Sequence, residues 1–418
     1  MNFQPPSKSL TPRDYQFLAL VTLLFIALST GLVFANLSLP RSGGEFLSHW
    51  VGSRAFIFER IDPYSGEVPA RVQELVYGKS AQAGAEPYIL DTPFHLLLLY
   101  YPFALLSDPQ MARALYTMLL EWSLFGLAWL SLRFTGWEAP RWFVLLFFLF
   151  CVFNLYAFQA ILEASPVLLL GLLYVGIFYT YQMGQDEASG ALMSFSLYYW
   201  EVGLPFLLLM LWHAYKHGRT RVLAGFFMLS FALLAVSFLT YPNWVIPYLR
   251  AGMNNLRADF GFTVFTALGA LFPAYGNVIA WGVVIALVLA LGYEWNAIES
   301  MDDRRFYWTA CLSLAVPPLL GFRTELEHLA VLIIPLALVF AIVRDRWQHT
   351  GTLLTILLLL LVWGLPWGLF FFDVPLLSHL KAELTFLFPP LFTVIGLYWI
   401  RWWAIRPPRI WADLAPRS

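Results

Sequence analysis

The feature that most constrains this chain is a series of apolar segments, each close to 20 residues long and poor in charge. A helix of about 20 apolar residues crosses the ~30 Å hydrocarbon layer of a bilayer. Charged residues make up 12% of the 418 residues and hydrophobic residues 60%, whereas a soluble domain carries about 25% charged residues. The sequence therefore predicts an all-α polytopic membrane protein.

We expect about twelve transmembrane helices that form a single domain over residues 1–418. The candidate spans are 16–36, 93–107, 111–132, 142–162, 165–182, 188–214, 221–241, 276–293, 306–320, 326–343, 352–372 and 385–403. No small-residue cleavage site follows the first apolar run, so we interpret it as a retained span and not as a signal peptide.

Lysine and arginine in the connecting segments predict the orientation, because these residues concentrate on the cytoplasmic side. Basic segments lie at 212–221, 301–305, 344–347 and 400–409. Simple alternation places them and both termini in the cytoplasm, with outer segments at 37–92, 242–275, 321–325 and 373–384, of which the first two are long. The first outer loop contains a helix-like stretch from Glu45 to Arg60 that we expect to lie along the membrane surface. The second contains the apolar stretch "FGFTVFTALGALFP", which is too short to span and is expected to be re-entrant or interfacial.

Segment 188–214 has two interpretations. It forms one span, or it forms two half-helices broken at "YYWEVGLP", residues 198–205. Irregular backbone at membrane depth is tolerated where it is buried in protein or lines a cavity. The second interpretation therefore predicts a cavity, and it also moves Glu163 to the outer side with Glu201. The sequence leaves this choice open.

Several classes of function are not indicated by the sequence. The net charge of −1 and the lack of a basic stripe argue against a nucleic-acid partner, and no nucleotide-binding glycine motif is present. Cys151 and Cys311 fall in apolar spans and are interpreted as packing residues. His213 and His217 form an H-x-x-x-H pattern without a neighbouring acid, so we interpret them as part of a solvated basic loop. No metal site is predicted.

Charge gathers at two places on the outer side, residues 42–66 and 321–328. Glu45 closely follows the first span and could act as a general base on a hydroxyl at the membrane surface; the alternative is a helix N-terminal acid. Arg323 and His328 could bind a lipid phosphate, or Arg323 could pair with Glu327 to cap the helix.

Acids in apolar segments are candidate functional residues by default. These are Glu121, Glu163 and Glu201, which could instead accept hydrogen bonds from neighbouring Trp or Tyr.

One apolar span, then "GGEFLSHWVGSRAFIFERIDPYS", then "LDTPFHLLLLYYPFALL", resembles the membrane glycosyltransferases of the GT-C superfamily. More specifically, it resembles glycosyltransferase family 87, the polyprenyl-phosphate-mannose-dependent mannosyltransferases. Glu45 stands at the acidic position of the first loop, and Asp62, Pro63 and Tyr64 match its Asp-Pro-Tyr motif. Glu327 and His328 match an acid–histidine pair that opens a late span.

The chain departs from the family pattern in several places. The first-loop acid is Glu instead of Asp, and Thr92-Pro93 replaces a double proline. "LEASPVLLLG" stands where many relatives carry Gly-Gln, and "YYWEVGLP" brings Glu201 where many carry Lys-Pro. The donor site therefore differs from that of the family, or Arg323 and His328 compensate for the missing lysine.

The resemblance implies an inverting hexosyltransferase of the plasma membrane that works at its outer face. The donor would be a polyprenyl-phosphate sugar, with mannose or another hexose as the sugar, and the acceptor would be a lipid or glycan hydroxyl. Glu45 would be the base, without metal or cofactor. The candidate donor-phosphate and substrate-binding residues are Arg323, Glu327, His328, His49, Arg54, Asp62, Tyr64, Asp91 and Glu201. The alternatives are a transporter or flippase of such lipids and a catalytically silent protein of this fold; sugar, acceptor and oligomeric state stay open.

Overall fold

The computed structural model describes residues 12–38, 44–79, 87–136, 140–257, 261–298, 303–372 and 380–405. The helices are α1 Pro12–Leu37, α2 Gly44–Arg54, α3 Glu67–Tyr77, α4 Phe94–Leu97, α5 Tyr101–Ala104, α6 Pro109–Phe134, α7 Arg141–Val152, α8 Leu155–Leu162, α9 Val167–Gln182, α10 Asp186–Met193, α11 Trp200–Lys216, α12 Thr220–Thr240, α13 Val245–Arg257, α14 Val264–Leu271, α15 Gly276–Asn296, α16 Asp303–Ala315, α17 Ile333–Phe371 and α18 Lys381–Ile405. Over these ranges the predicted all-α class is confirmed. Both termini, predicted to be cytoplasmic, lie outside them.

Six helical segments of the described chain are long and apolar enough to cross a membrane. They are Pro109–Phe134, Thr220–Thr240, Gly276–Asn296, Leu326–Trp347, Thr350–Phe371 and Lys381–Ile405. α7 and α8 meet at a 50° bend and make a seventh if they form one broken span. These segments support a helical membrane protein, whereas the predicted number of twelve is not confirmed.

Several expected spans are shorter in the structure than the sequence predicted. Segment 93–107 contains only α4, a 3-10 turn at Leu98–Tyr100 and α5, and 11 helical residues extend only about 16 Å. α16 has 13 residues and ends before a 3-10 turn at Pro317–Leu319. Prolines cause these interruptions, since they lack the N–H that continues a helix.

Segment 188–214 is two helices, as the second interpretation predicted. α10 ends at Met193, residues 194–199 form turns, and α11 begins at Trp200. The break therefore begins a few residues before 198–205. Gly203 packs directly on it: a Cβ at this position would lie 2.3 Å from the Tyr174 hydroxyl and 2.5 Å from the carbonyl oxygen of Ser196. We refer to residues 194–199 as the helix break.

Two glycines bring α10 and α12 into backbone contact. A Cβ on Gly190 would lie 2.0 Å from the carbonyl oxygen of Val222, and one on Gly225 would lie 2.3 Å from that of Glu187. Small residues permit such close approach between membrane helices. α10 is thereby fixed against α12.

Residues 44–79 of the predicted first outer loop form a packed unit. α2 continues into a π turn at Ala55–Glu59, which confirms the helix-like stretch predicted from Glu45 to Arg60. Phe46 of α2 and Val68 and Val72 of α3 are fully buried. This packing holds the first turn of α2 at a fixed place.

The described residues of the second predicted outer segment, 242–257 and 261–275, reach the same region of the molecule. It contains the short helices α13 and α14, and neither crosses a membrane by length. Phe262, which precedes α14, exchanges two backbone hydrogen bonds of 2.8 Å with Thr324. The segment 321–325 before the 3-10 helix Leu326–Leu332 is therefore fixed from this side.

Candidate functional site

Tyr199, the last residue of the helix break, joins the two charged segments that the sequence singled out. Its hydroxyl donates a hydrogen bond to the carboxylate of Glu45. Its ring lies against the ring of His328, with 4.1 Å between the centroids. The Ser165 hydroxyl is 3.2 Å from the Tyr199 hydroxyl. Glu45 and His328 therefore meet on the two sides of one tyrosine.

The fold of α2 positions Glu45. Glu45 lies in the first turn of this helix, where the helix dipole favours an acid. The next residue, Phe46, is fully buried and stacks on Tyr116 at 4.8 Å. This anchor leaves the Glu45 side chain half-buried at the rim of the site.

His49 lies one turn further along α2 and is buried beneath Glu45. Its Nδ1 is 2.7 Å from the backbone carbonyl of Glu45, and its Nε2 is 2.7 Å from the Thr92 hydroxyl. A carbonyl only accepts, so Nδ1 carries the proton and Nε2 accepts in the neutral ring. Burial lowers the His49 pKa from 6.5 to about 4, although the carbonyl hydrogen bond acts in the opposite direction. His49 is therefore a neutral support for the site.

A row of buried tyrosines extends from His49 and forms, together with it, the floor of the site. The Tyr198 hydroxyl is 2.9 Å from Nε2 of His49 and 2.7 Å from the Tyr100 hydroxyl. Tyr100 in turn lies 3.2 Å from the hydroxyl of Tyr116. The row links α2, the helix break and α6. It fixes Tyr198 and so the backbone next to Tyr199.

The opposite wall is the start of the 3-10 helix Leu326–Leu332. The Glu325 side chain accepts from the backbone N–H of His328, while Nδ1 of His328 faces the backbone N–H of Glu325 at 3.5 Å. Glu327 is buried and its carboxyl contacts that of Glu325. Glu45 is close enough to Glu327 for their charges to interact.

The rim of the site holds three more of the predicted residues. Glu201 is half-buried in the first turn of α11. It lies within electrostatic range of Asp91, Glu325 and Arg323. Trp200 packs edge-on against Phe322, with 5.5 Å between the centroids. The start of α11 and the segment 321–325 therefore form one mouth.

Arg54, Asp62 and Tyr64 are engaged in structural contacts. Arg54 Nη1 donates to the carbonyls of Ala104 and Leu106 at 2.8 and 2.9 Å, which caps the end of α5. The Asp62 carboxylate accepts from the backbone N–H of Tyr64 at 3.0 Å. Tyr64 donates from its hydroxyl to the carbonyl of Thr92 at 2.8 Å, and burial raises its pKa. These contacts hold the first outer loop beneath the site.

The interpretation of His213 as part of a solvated loop is wrong. His213 is buried in the last turn of α11, and its Nδ1 is 2.6 Å from the Tyr181 hydroxyl. The helix extends further into the basic segment than predicted. The two cysteines, in contrast, are free and buried as expected.

Sequence reasoning missed Glu325, Ser165 and the tyrosines of the floor. Glu325 stands beside the predicted pair Glu327 and His328 in "TELEH". Two acids and a histidine within four residues could have identified Glu325 as a candidate site residue. Ser165 follows a residue with left-handed backbone, Ala164 at φ 51°, which no sequence pattern indicates.

We compared the chain with protein-family models, with curated proteins and with solved structures, and none of them matches it. The geometry of the site therefore carries the functional argument alone. It offers a half-buried carboxylate, a tyrosine whose hydroxyl contacts that carboxylate and whose ring lies against an imidazole, and a mouth where carboxyl groups lie near Arg323.

Proposed function

We propose that this protein is an inverting membrane glycosyltransferase. It would move a sugar, such as mannose or another hexose, from a polyprenyl-phosphate donor to a hydroxyl of a lipid or glycan. The observation that carries the proposal is the meeting of Glu45 and the Arg323–His328 segment on Tyr199. The proposed location is the outer face of the plasma membrane.

The reaction would be a single displacement at the anomeric carbon. Glu45 takes the proton of the acceptor hydroxyl while its oxygen bonds to the anomeric carbon from the face opposite the phosphate. The bond from the anomeric carbon to the phosphate oxygen breaks, and polyprenyl phosphate leaves as an anion. Positive charge near that oxygen stabilises the transition state, and Arg323 is the cationic side chain at the mouth.

The distribution of charge favours transfer over transport. A transporter needs polar groups along a path through the membrane and, in many folds, two related halves. In the described residues, Glu45, Asp91, Glu201, Glu327 and Arg323 gather at one mouth. The predicted acids Glu121 and Glu163 are engaged elsewhere: Glu121 accepts from the side-chain amide of Asn36 at 3.2 Å, and Glu163 lies within electrostatic range of Arg113. A second buried acid, Glu294, is already paired with Arg401 at 2.8 Å, so it serves packing between α15 and α18.

Replacing Glu45 with Gln tests the role of the base directly. Purified protein in lipid nanodiscs is incubated with radiolabelled polyprenyl-phosphate sugars and candidate lipid acceptors. We expect E45Q to lose about 10²–10⁴-fold in transfer rate, the usual contribution of a general base, while it still binds donor. Glu59→Gln is the matched control, because Glu59 is exposed and paired with Arg71. Full activity of E45Q would exclude Glu45 as the base.

Tyr199→Phe tests the bridge between the two walls. This change removes the hydroxyl that contacts Glu45 and keeps the ring against His328. A hydrogen bond to a charged group contributes about 1.5–3 kcal/mol, so transfer should fall at least about tenfold. Tyr179→Phe, at an exposed position of α9, should leave the rate unchanged. Equal rates for the two variants would contradict a role for the Tyr199 hydroxyl.

A further inference from the structure

We propose that Glu325, Glu327 and His328 bind one divalent cation at the wall of the mouth. Its catalytic use, neutralising the phosphate of the donor, rests on the proposed function; its binding does not. The sequence predicted no metal site, and Glu325 was not among the candidate residues.

The geometry of the three side chains suits one ion. One ligand atom from each residue lies within 4.8 Å of the other two. Ligands bound to a single ion at about 2.0–2.2 Å lie at most ~4.4 Å apart, so small rotations of the side chains suffice. Glu327 and His328 are buried and Glu325 is half-buried. The protein would therefore surround the ion on one side, and the coordination position that faces the mouth would stay free for a further ligand.

His328 supplies a second, independent indication of a ligand. The side chain is 5% exposed, and its Nε2 is buried without a hydrogen-bond partner in the described part of the chain. A buried polar atom without a hydrogen-bond partner destabilises the folded state by about 1–3 kcal/mol. Imidazole nitrogen is a common ligand of Zn²⁺ and Mn²⁺. Coordination of a cation would satisfy Nε2, with the ring proton on Nδ1 and the long 3.5 Å contact with the Glu325 N–H given up.

Charge at the mouth also calls for a cation. Carboxyl groups outnumber cationic side chains here: Glu45, Glu325, Glu327 and Glu201 lie within electrostatic range of their neighbours, as does Arg323. Like charges at contact distance, such as Glu325 and Glu327, need a shared proton or a cation. Without a further cation, these carboxylates would oppose the attraction between Arg323 and an anionic donor. A divalent ion would offset two of these negative charges beside the leaving phosphate.

Manganese alone is the probe, because Mn²⁺ accepts mixed oxygen and nitrogen ligands and is paramagnetic. Metal-free full-length protein in nanodiscs is titrated with Mn²⁺ and followed by electron paramagnetic resonance. We expect one saturable site, with nitrogen coupling from a single imidazole. Glu325→Gln should weaken binding at least tenfold, and His328→Gln should abolish the nitrogen coupling.

Glu74→Gln is the matched control, since Glu74 is an exposed acid of the first outer loop. It should bind Mn²⁺ as the wild type does. Glu325 is half-buried, so E325Q keeps the test decisive if H328Q does not fold. Absence of saturable binding, or binding that neither variant changes, overturns the site.

The sugar-transfer assay with and without chelator separates this inference from the proposed function. Loss of transfer on chelation and recovery with Mn²⁺ supports both. Full transfer in chelator, together with no Mn²⁺ binding, overturns the cation site and leaves the transferase. Specific Mn²⁺ binding without transfer from any donor keeps the site and rejects the transferase.

Discussion

At the scale of single residues, the neutral state of His49 matters most. The ring is enclosed by Glu45, Thr92 and Tyr198, and it accepts at Nε2 only while it is neutral. Protonation would turn Nε2 into a donor and leave a charge in a buried site. The hydrogen bonds from the Thr92 and Tyr198 hydroxyls to His49 therefore form only while Nε2 of His49 carries no proton.

His49 should make stability depend on pH. Its pKa is lowered to about 4 in the folded protein, so between about pH 4 and 6.5 the unfolded chain binds more protons and acid destabilises the fold. The folded state keeps its full stability above pH 6.5. As the pH falls from 6.5 to about 4, the mismatch between the two pKa values of His49 costs about 3 kcal/mol. Thermal unfolding at pH 7.5 and 4.5 should show a smaller loss for His49→Gln than for the wild type. His217→Gln controls for removing a histidine, and equal losses in wild type and H49Q would contradict the assignment.

Residues of the site differed in how visible they were in the sequence. Glu45, Glu327 and His328 could be predicted because charge is conspicuous in a chain with only 12% charged residues. Tyr100, Tyr116 and Tyr198 could not, because 20 tyrosines are present and most such rings in membrane proteins belong to the interface. Only the fold shows which of them are buried together.

At the scale of elements, the helix break is the feature that assembles the site. It carries Tyr198 and Tyr199 and is supported from below by Tyr174, whose hydroxyl donates to the carbonyl of Ser196 at 3.3 Å. Ser194, Ser196 and Tyr198 of the break are buried, whereas Leu197 is exposed.

Gly203→Ala should disturb this break. The added methyl group would fall on the Tyr174 hydroxyl and the Ser196 carbonyl, and overpacking of this kind costs about 1–3 kcal/mol. We expect a lower melting temperature and a reduced rate of transfer, because the turn carrying Tyr199 must shift. Gly282→Ala on α15 is the control, since nothing lies within 4 Å of a Cβ there. A G203A protein as stable and active as G282A would show that the close contact is not needed.

The sequence predicted the presence of helices and breaks better than it predicted the residues at which they begin and end. The break in 188–214 was expected from "YYWEVGLP", yet it begins at residue 194, because contacts with Tyr174 and with α12 decide its position. Segment 93–107 was apolar enough for a span, but its prolines divide it into short helices. Hydrophobicity alone does not reveal such divisions.

At the scale of the whole molecule, the first and second outer segments should lie on one side of the membrane. The native cysteines are buried, so single added cysteines can be labelled with a membrane-impermeant maleimide. We expect Glu74→Cys and Met253→Cys to react in intact cells and Tyr215→Cys to react only after the membrane is opened; Tyr215 is 77% exposed. The unmodified protein is the control for background labelling. Reaction of all three positions in intact cells would contradict the predicted orientation.

The contact between α10 and α12 has a mechanical consequence. Most of α12 faces away from the protein interior, so surrounding lipid acts on it directly. Gly190 and Gly225 leave no side chains between the two backbones to absorb a movement. A change in bilayer thickness that tilts α12 would therefore pull on α10, and the turn that follows α10 would carry Tyr199 toward or away from Glu45.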